Sequence, residues 1–269
     1  MLSLKYRFSA LGRDLVDAGH ISACREQAEG ADPFKLPREI RRAAFSGMGG
    51  EMDDSSAFPR ARIAMVSRGR KESQFLVDHK EDIMRQYAAY LFPDLEWLEQ
   101  KRRMKCVING IDMDSGLDAW AAKYGNPDDK TLKGKRVLLS NGQPYTLEDY
   151  QRAQKRSTED MTAASPRMLT FITAHMKPSE RARAHKPALR LKSYLLQEAE
   201  AVSRAAKVAQ CREWGIRVVS LQHDGIMMES LPDGYTVDET AELMSAAASR
   251  QAGYEVIVTA ERVRRLTVD

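Results

Sequence analysis

The sequence predicts an α+β fold in which an antiparallel sheet packs on helices, and three observations carry that prediction. The C-terminal part reads as helix, hairpin, helix and strand in succession. A separate strand-like segment ends in the acids Asp53 and Asp54, and helical spacing of apolar residues runs through most of 73–108. With 269 residues, 43% of them hydrophobic, the chain is long enough to fill a proper core.

Residues 1–46 form a mixed lead-in, in which PREIRRAAF follows Pro37, a residue whose fixed φ suits a first helical turn. Residues 51–66 begin as a strand, turn at 57–59 and enter a helix at ARIAMV. Over 73–90, Phe75, Leu76, Ile83, Tyr87 and Tyr90 approximate one helical face, and 95–108 reads as the next helix. Asn-Pro, Lys-Gly and Asn-Gly breakers in 125–145 predict either a turn-rich insertion or a loop followed by a short hairpin.

A long helix is expected over 188–214, with Leu191, Leu195, Val202, Ala206 and Ala209 on one face and Gly215 as its stop. In the segment RVVSLQHDGIMME at 217–229, Val218 and Val219, with Ile216 just before it, favour a strand. Gly225 there supplies turn freedom after Asp224. A turn at 232–234 leads into VDETAELMSAAASRQAG, a helix opening with acids, and then into the strand EVIVTAERV. Without repeats or a Pro- or Gly-rich linker, the expectation is one folded unit with a central insertion. Its parts are a lead-in at 1–50, a sheet segment at 51–70, the insertion at 71–190 and the remaining sheet and helices at 191–269.

Charged residues make up 30% of the chain, and a net charge of +4 is too small to imply a polyanionic partner by itself. The local clusters are sharper. Residues 177–192 hold six Lys or Arg against the single acid Glu180, and KRRMK at 101–105 holds four basic residues in five. Each reads either as a solvated helix face or as a grip on phosphates. The three scattered cysteines, Cys24, Cys106 and Cys211, indicate neither a disulfide framework nor a zinc cluster, which suits a reducing compartment. No stretch approaches the roughly 18 apolar residues of a membrane span, so a soluble, cytoplasmic protein that does not engage membranes is expected.

The segment EMDDSSAFPR at 51–60 supplies a second acidic site besides Asp224. Side chains alternate along a strand, so Asp53 and Asp54 point to opposite faces and one of them joins Asp224. Carboxylates on adjacent strands can hold two Mg²⁺ ions about 4 Å apart, an arrangement suited to phosphoryl transfer. Lys101 and Lys105, at i and i+4, share a helix face and can bind a triphosphate.

These residues resemble the family A DNA polymerases, the DNA polymerase I type. Asp53, Ser55 and Arg60 match motif A, an Asp followed by Ser two residues on and Arg seven on. EMDDSSAFP also resembles the form of that motif in divergent viral and plasmid members. His223-Asp224, with Glu229 five residues later, is similar to motif C at a hairpin tip. KRRMKCVING resembles the fingers helix of motif B through Lys101, Lys105 and Asn109-Gly110.

The resemblance implies a polymerase palm with a helical fingers subdomain. Family A enzymes normally carry a thumb and often an exonuclease before motif A, and with only about fifty residues before Asp53 the expectation is a thumb reduced or absent and no exonuclease. The resemblance also implies addition of nucleotides to a primer 3′-OH, as in DNA replication. Asp53 and Asp224 would hold two Mg²⁺ ions, with Mn²⁺ as a substitute. Lys105, assisted by Lys101 or Arg102 and with Asn109 nearby, would bind the nucleotide, and His223 would orient the turn or touch the primer end. Arg60, Arg181, Arg183, Arg190 and Gln197 are candidates for nucleic-acid contact, with Arg13, Arg38, Arg41 and Glu200 behind them. The partners implied are primer-template, nucleoside triphosphates and a processivity or replisome protein, and the source implied is a virus, phage or mobile element.

The chain departs from the pattern in several places. Motif C continues with an acid where this chain has Gly225, and motif A carries a Glu where this chain has Phe58. Phe58 reads either as a barrier to a ribose 2′-OH or as a core residue before Pro59. Asn109 and Met113 stand where motif B carries aromatics. Three other readings compete: an RNA polymerase or primase-like enzyme, a catalytically inactive palm acting as a replication scaffold, and a metal-dependent nuclease.

Overall fold

The computed structural model describes residues 5–24, 26–29, 48–112, 132–183, 185–221 and 224–261. Among them lie the strands β1 (Lys5–Phe8), β2 (Glu26–Glu29), β3 (Gly50–Asp54), β4 (Arg136–Leu138), β5 (Pro144–Thr146), β6 (Val218–Leu221), β7 (Gly225–Met228) and β8 (Val258–Glu261). The chain divides into two compact units. One is discontinuous, Met1–Ala61 with Ser193–Asp269, and the other is the continuous stretch Arg62–Lys192.

The discontinuous unit is built on a four-stranded antiparallel sheet in the order β6-β7-β3-β8. Strand β3 is therefore interior, with Asp53 opposite Gly225 of β7 on one side and opposite Thr259 of β8 on the other. Alternation along β3 buries Met52 and Asp54, while Glu51 and Asp53 take the opposite face. Met52 packs with Ile226, Met228 and Val258 of the sheet. Ala206 and Cys211 join them from the helix Lys186–Glu213, and Ala241, Met244 and Ala248 from the helix Val237–Ala252. Thr236 and Glu239 close a capping box at the start of Val237–Ala252, and Gly253 ends it at φ 74°. A smaller antiparallel pair, β1 with β2, flanks the helix Ala10–Asp17.

In the continuous unit, the helices Arg70–Asp78, Lys80–Leu91, Trp97–Asp112 and Leu147–Ala164 pack with the β4–β5 hairpin around Leu76, Ile83, Tyr87, Met104, Val107 and Tyr150. Tyr87 is fully buried. Its hydroxyl faces the carbonyls of Lys135 at 2.9 Å and Tyr145 at 3.3 Å, and accepts the Leu147 N–H at 3.0 Å. One phenol thus ties the hairpin and the start of the next helix to the core. No helix among the described residues is long and apolar enough to cross a membrane.

Several sequence expectations change here. The helix expected over 73–90 is two helices, interrupted at His79 with φ −115° and ψ 18°. The seven-residue step from Leu76 to Ile83 spans two turns, so the periodicity stays in phase through the break. Of the two readings for 125–145, a hairpin is present at 136–146, while 125–131 lie outside the described residues, as does PREIRRAAF. The helices Leu147–Ala164 and Pro166–His175 were not expected. The first buries Gln154 and Ser157 along with Tyr150, Ala153 and Met161, and these polar residues interrupt its apolar stripe. The last strand begins at Val258, not at Glu255.

Candidate functional site

The acids of β3 divide as strand alternation requires. Asp53 shares its face with Glu51 and lies opposite Gly225, the residue after Asp224. Asp53 Oδ1 is buried and accepts no hydrogen bond. Burial is the main force pushing its carboxyl up to about 7, followed by the negative charges of Glu51 and Asp224; Lys207 opposes them and Asp54 adds to them. The charge of Asp224, just before β7, thus acts on Asp53, and it acts on Asp54 as well.

Gly225 belongs to strand β7 and has no left-handed φ, so the turn freedom expected of it is not what the position needs. It needs space. A Cβ there would collide with Asp53 Oδ1, stand 2.9 Å from its Cγ and lie 3.1 Å from the Met52 carbonyl oxygen. An acid after Asp224 would therefore require the Asp53 carboxylate to move.

Asp54 points to the helix side and is 8% exposed. Ser203 donates its hydroxyl to Oδ2 at 2.6 Å, and Lys207 donates Nζ–H to Oδ1 at 2.6 Å. Burial pushes the Asp54 carboxyl up, and Lys207 and Ser203 pull it back. Lys207 also donates to the main-chain oxygen of Asp224. Ser203 and Lys207 sit one turn apart on Lys186–Glu213, beside the Val202 and Ala206 face read from the sequence. A lysine amid alanines in RAAKVAQ was the available signal for this buried pair.

Beyond Asp54 the chain turns sharply. The Ser55 N–H donates to the Ile257 carbonyl at 2.7 Å, and Ser56 takes a left-handed φ of 57°. Arg60 stabilises this turn by donating Nε–H to the Ser55 carbonyl at 3.2 Å, and it pairs with Glu255. Phe58 lies on the helix Ala57–Met65, half-buried. The Gln197 amide donates to the Ser193 hydroxyl at 2.8 Å. His223 and the side chain of Asn109 lie outside the described residues.

The other candidates belong to the continuous unit. Lys101 pairs with Glu81 at 3.2 Å and Arg102 with Glu99 at 2.8 Å, while Lys105 is exposed. In 177–192, Arg181 and Arg183 are exposed, Arg190 pairs with Glu180 at 2.7 Å, and Lys192 is buried. That run is therefore neither a uniform solvated face nor a uniform row of open cations.

Among the described residues, no group of three or more His, Cys, Asp or Glu is arranged to hold a metal ion. A cation at Asp53 and Asp224 would rest on two carboxylates. The buried, unbonded Oδ1 of Asp53 suits such an ion, because a desolvated carboxylate oxygen is costly unless a cation or donor takes it. Oxygen donors, few from protein and the rest from water and phosphate, are what Mg²⁺ accepts.

No protein-family profile matches the chain, and no curated protein matches it in sequence. Among solved structures, its fold is similar to the POL domain of Pol1 from M. smegmatis, determined in complex with DNA primer-template and dNTP, with a TM-score of 0.55 and 16% identity. The likeness covers 96% of this chain and 47% of that one, so the chain spans about half the length of its structural neighbour. Helices and an antiparallel sheet are thus arranged here in a polymerase-like fold.

Proposed function

We propose that the chain is a template-directed nucleotidyltransferase of the DNA polymerase I type, adding deoxynucleotides to a primer 3′-OH. The observation that carries this reading is the placement of Asp53, whose buried Oδ1 accepts no hydrogen bond, in register with Gly225, the residue after Asp224, where the negative charge of Asp224 acts on it. The polymerase-like fold supports it. In this reading the sheet unit is the palm, and the helices of Arg62–Lys192 include the fingers.

Asp53 and Asp224 would hold two Mg²⁺ ions, or Mn²⁺ in their place. When bound, these supply activation of the primer hydroxyl and a counter-charge for pyrophosphate. The protein's own contribution is placement. The β3–β7 register sets the spacing of the two acids, and Arg60 stabilises the turn that follows Asp53. Lys105, with Lys101 or Arg102 and Asn109, binds the β- and γ-phosphates as positioned cations and donors. Arg181, Arg183, Arg190 and Gln197 contact primer-template, His223 orients the turn or touches the primer end, and Phe58 bars the ribose 2′-OH.

Extension of a 5′-labelled primer on a DNA template, with dNTPs and rNTPs in parallel, tests the proposal. Longer products with dNTPs support it. Longer products only with rNTPs favour an RNA polymerase or primase-like enzyme, shortened strands favour a nuclease, and tight binding without turnover favours an inactive scaffold.

A further inference from the structure

We infer that Lys207 is a positioning residue that fixes the two carboxylates relative to each other, an inference that rests on reading Asp53 and Asp224 as the metal-holding pair. Lys207 is fully buried, and its ammonium ties the end of one strand to the residue before another. It donates to Asp54 Oδ1 at 2.6 Å, at the end of β3, and to the main-chain oxygen of Asp224, just before β7. Asp54 follows Asp53 in the chain, and Asp224 precedes Gly225, which is in register with Asp53. One side chain therefore joins the neighbour of one acid to the backbone of the other.

The contacts suit this work. An ammonium has three donors and no acceptor, so it binds two oxygens without competing for a metal. Ser203 takes the second Asp54 oxygen at 2.6 Å, and both Asp54 oxygens are thereby occupied. Of the two neighbouring acids, that leaves Asp53, whose buried Oδ1 accepts no hydrogen bond, to take an ion. The anchor is a 28-residue helix, a rigid element. Partners of this kind, behind the ligands themselves, set how well ligands are placed.

Replacing Lys207 alone would strand a buried Asp54, so the variant of choice is Asp54→Leu/Lys207→Met, which removes both charges with little change in volume. Two readouts separate a positioning role from a merely structural one. Hydrogen exchange of the β7 amides, measured without metal, reports the tie; Mn²⁺ binding, followed by the paramagnetic resonance of the free ion, reports its consequence. In a folded double variant, β7 amides exchange faster than in wild type, and the Mn²⁺ dissociation constant rises about tenfold or more. Unchanged exchange or unchanged Mn²⁺ affinity in that folded variant overturns the inference. Faster exchange in the variant with no Mn²⁺ bound by wild type upholds the tie and sinks the metal reading of Asp53 and Asp224. Should the double variant not fold, Asp54→Asn weakens the hold on Lys207 while keeping the side chain's shape, and the same two shifts, smaller in size, are required of it.

Discussion

Gly225 lies directly against the Asp53 carboxylate, in register across β3 and β7, where a Cβ would overlap Oδ1 and stand 2.9 Å from Cγ. Gly225→Ala therefore moves Asp53 or the strand. Displacement of a reacting group by about 1 Å costs on the order of 100-fold in rate, and overpacking costs about 1–3 kcal/mol of stability. Primer extension and chemical denaturation of the same variant check both, with the loss of activity expected to exceed the loss of stability.

Asp53 links pH to stability. Its carboxyl is raised to about 7 in the fold against an ordinary value of 3.8, chiefly by burial. Between about pH 4 and 7 the metal-free folded protein keeps a proton that the unfolded chain has lost, so stability falls as pH rises through that window. The raised carboxyl of Asp54 acts in the same direction. Denaturation midpoints of the metal-free protein should be lower at pH 8 than at pH 5, and Asp53→Asn should remove most of that difference. Mg²⁺ competes with the same proton, so its affinity should rise with pH through about 7, as calorimetry in two buffers of different ionisation enthalpy would show.

Lys207→Met alone should be severe. It leaves Asp54 buried at 8% exposure without its cation, a change that costs about 3–5 kcal/mol. Adding Asp54→Leu should restore much of the loss. Equal instability of the single and double variants, measured by urea denaturation, would count against this account of the pair.

Tyr87 offers a test remote from the acids. Tyr87→Phe keeps the ring in the core but removes the hydroxyl that bonds the Lys135 carbonyl and the Leu147 N–H. A buried N–H left without its acceptor costs about 1–3 kcal/mol. Thermal unfolding should show that loss while Mg²⁺ affinity stays unchanged.

The sheet and the acids were legible because their signals are local. Alternation along EMDD separates Asp53 from Asp54, and the apolar runs around 224 place β6 and β7. The helix before the hairpin was readable from its apolar face and its stop at Gly215. What stayed hidden depends on contacts between distant segments. The need for glycine at 225 comes from a carboxylate on another strand, and the partner of Asp54 lies 153 residues away at Lys207. The helix Leu147–Ala164 escaped because Gln154 and Ser157 occupy buried positions where periodicity looks for apolar side chains. Basic residues were misleading in the opposite way, since composition does not reveal that Arg190 is paired or that Lys192 is buried.

The central claim is that Asp53 and Asp224 act together in metal-dependent nucleotidyl transfer. Mg²⁺-dependent extension of a labelled primer by wild type, Asp53→Asn and Asp224→Asn, each first shown to be folded, tests it most directly. The account predicts extension by wild type and a loss of at least about 100-fold in either variant. Extension that persists in the folded Asp53→Asn or Asp224→Asn protein would contradict it.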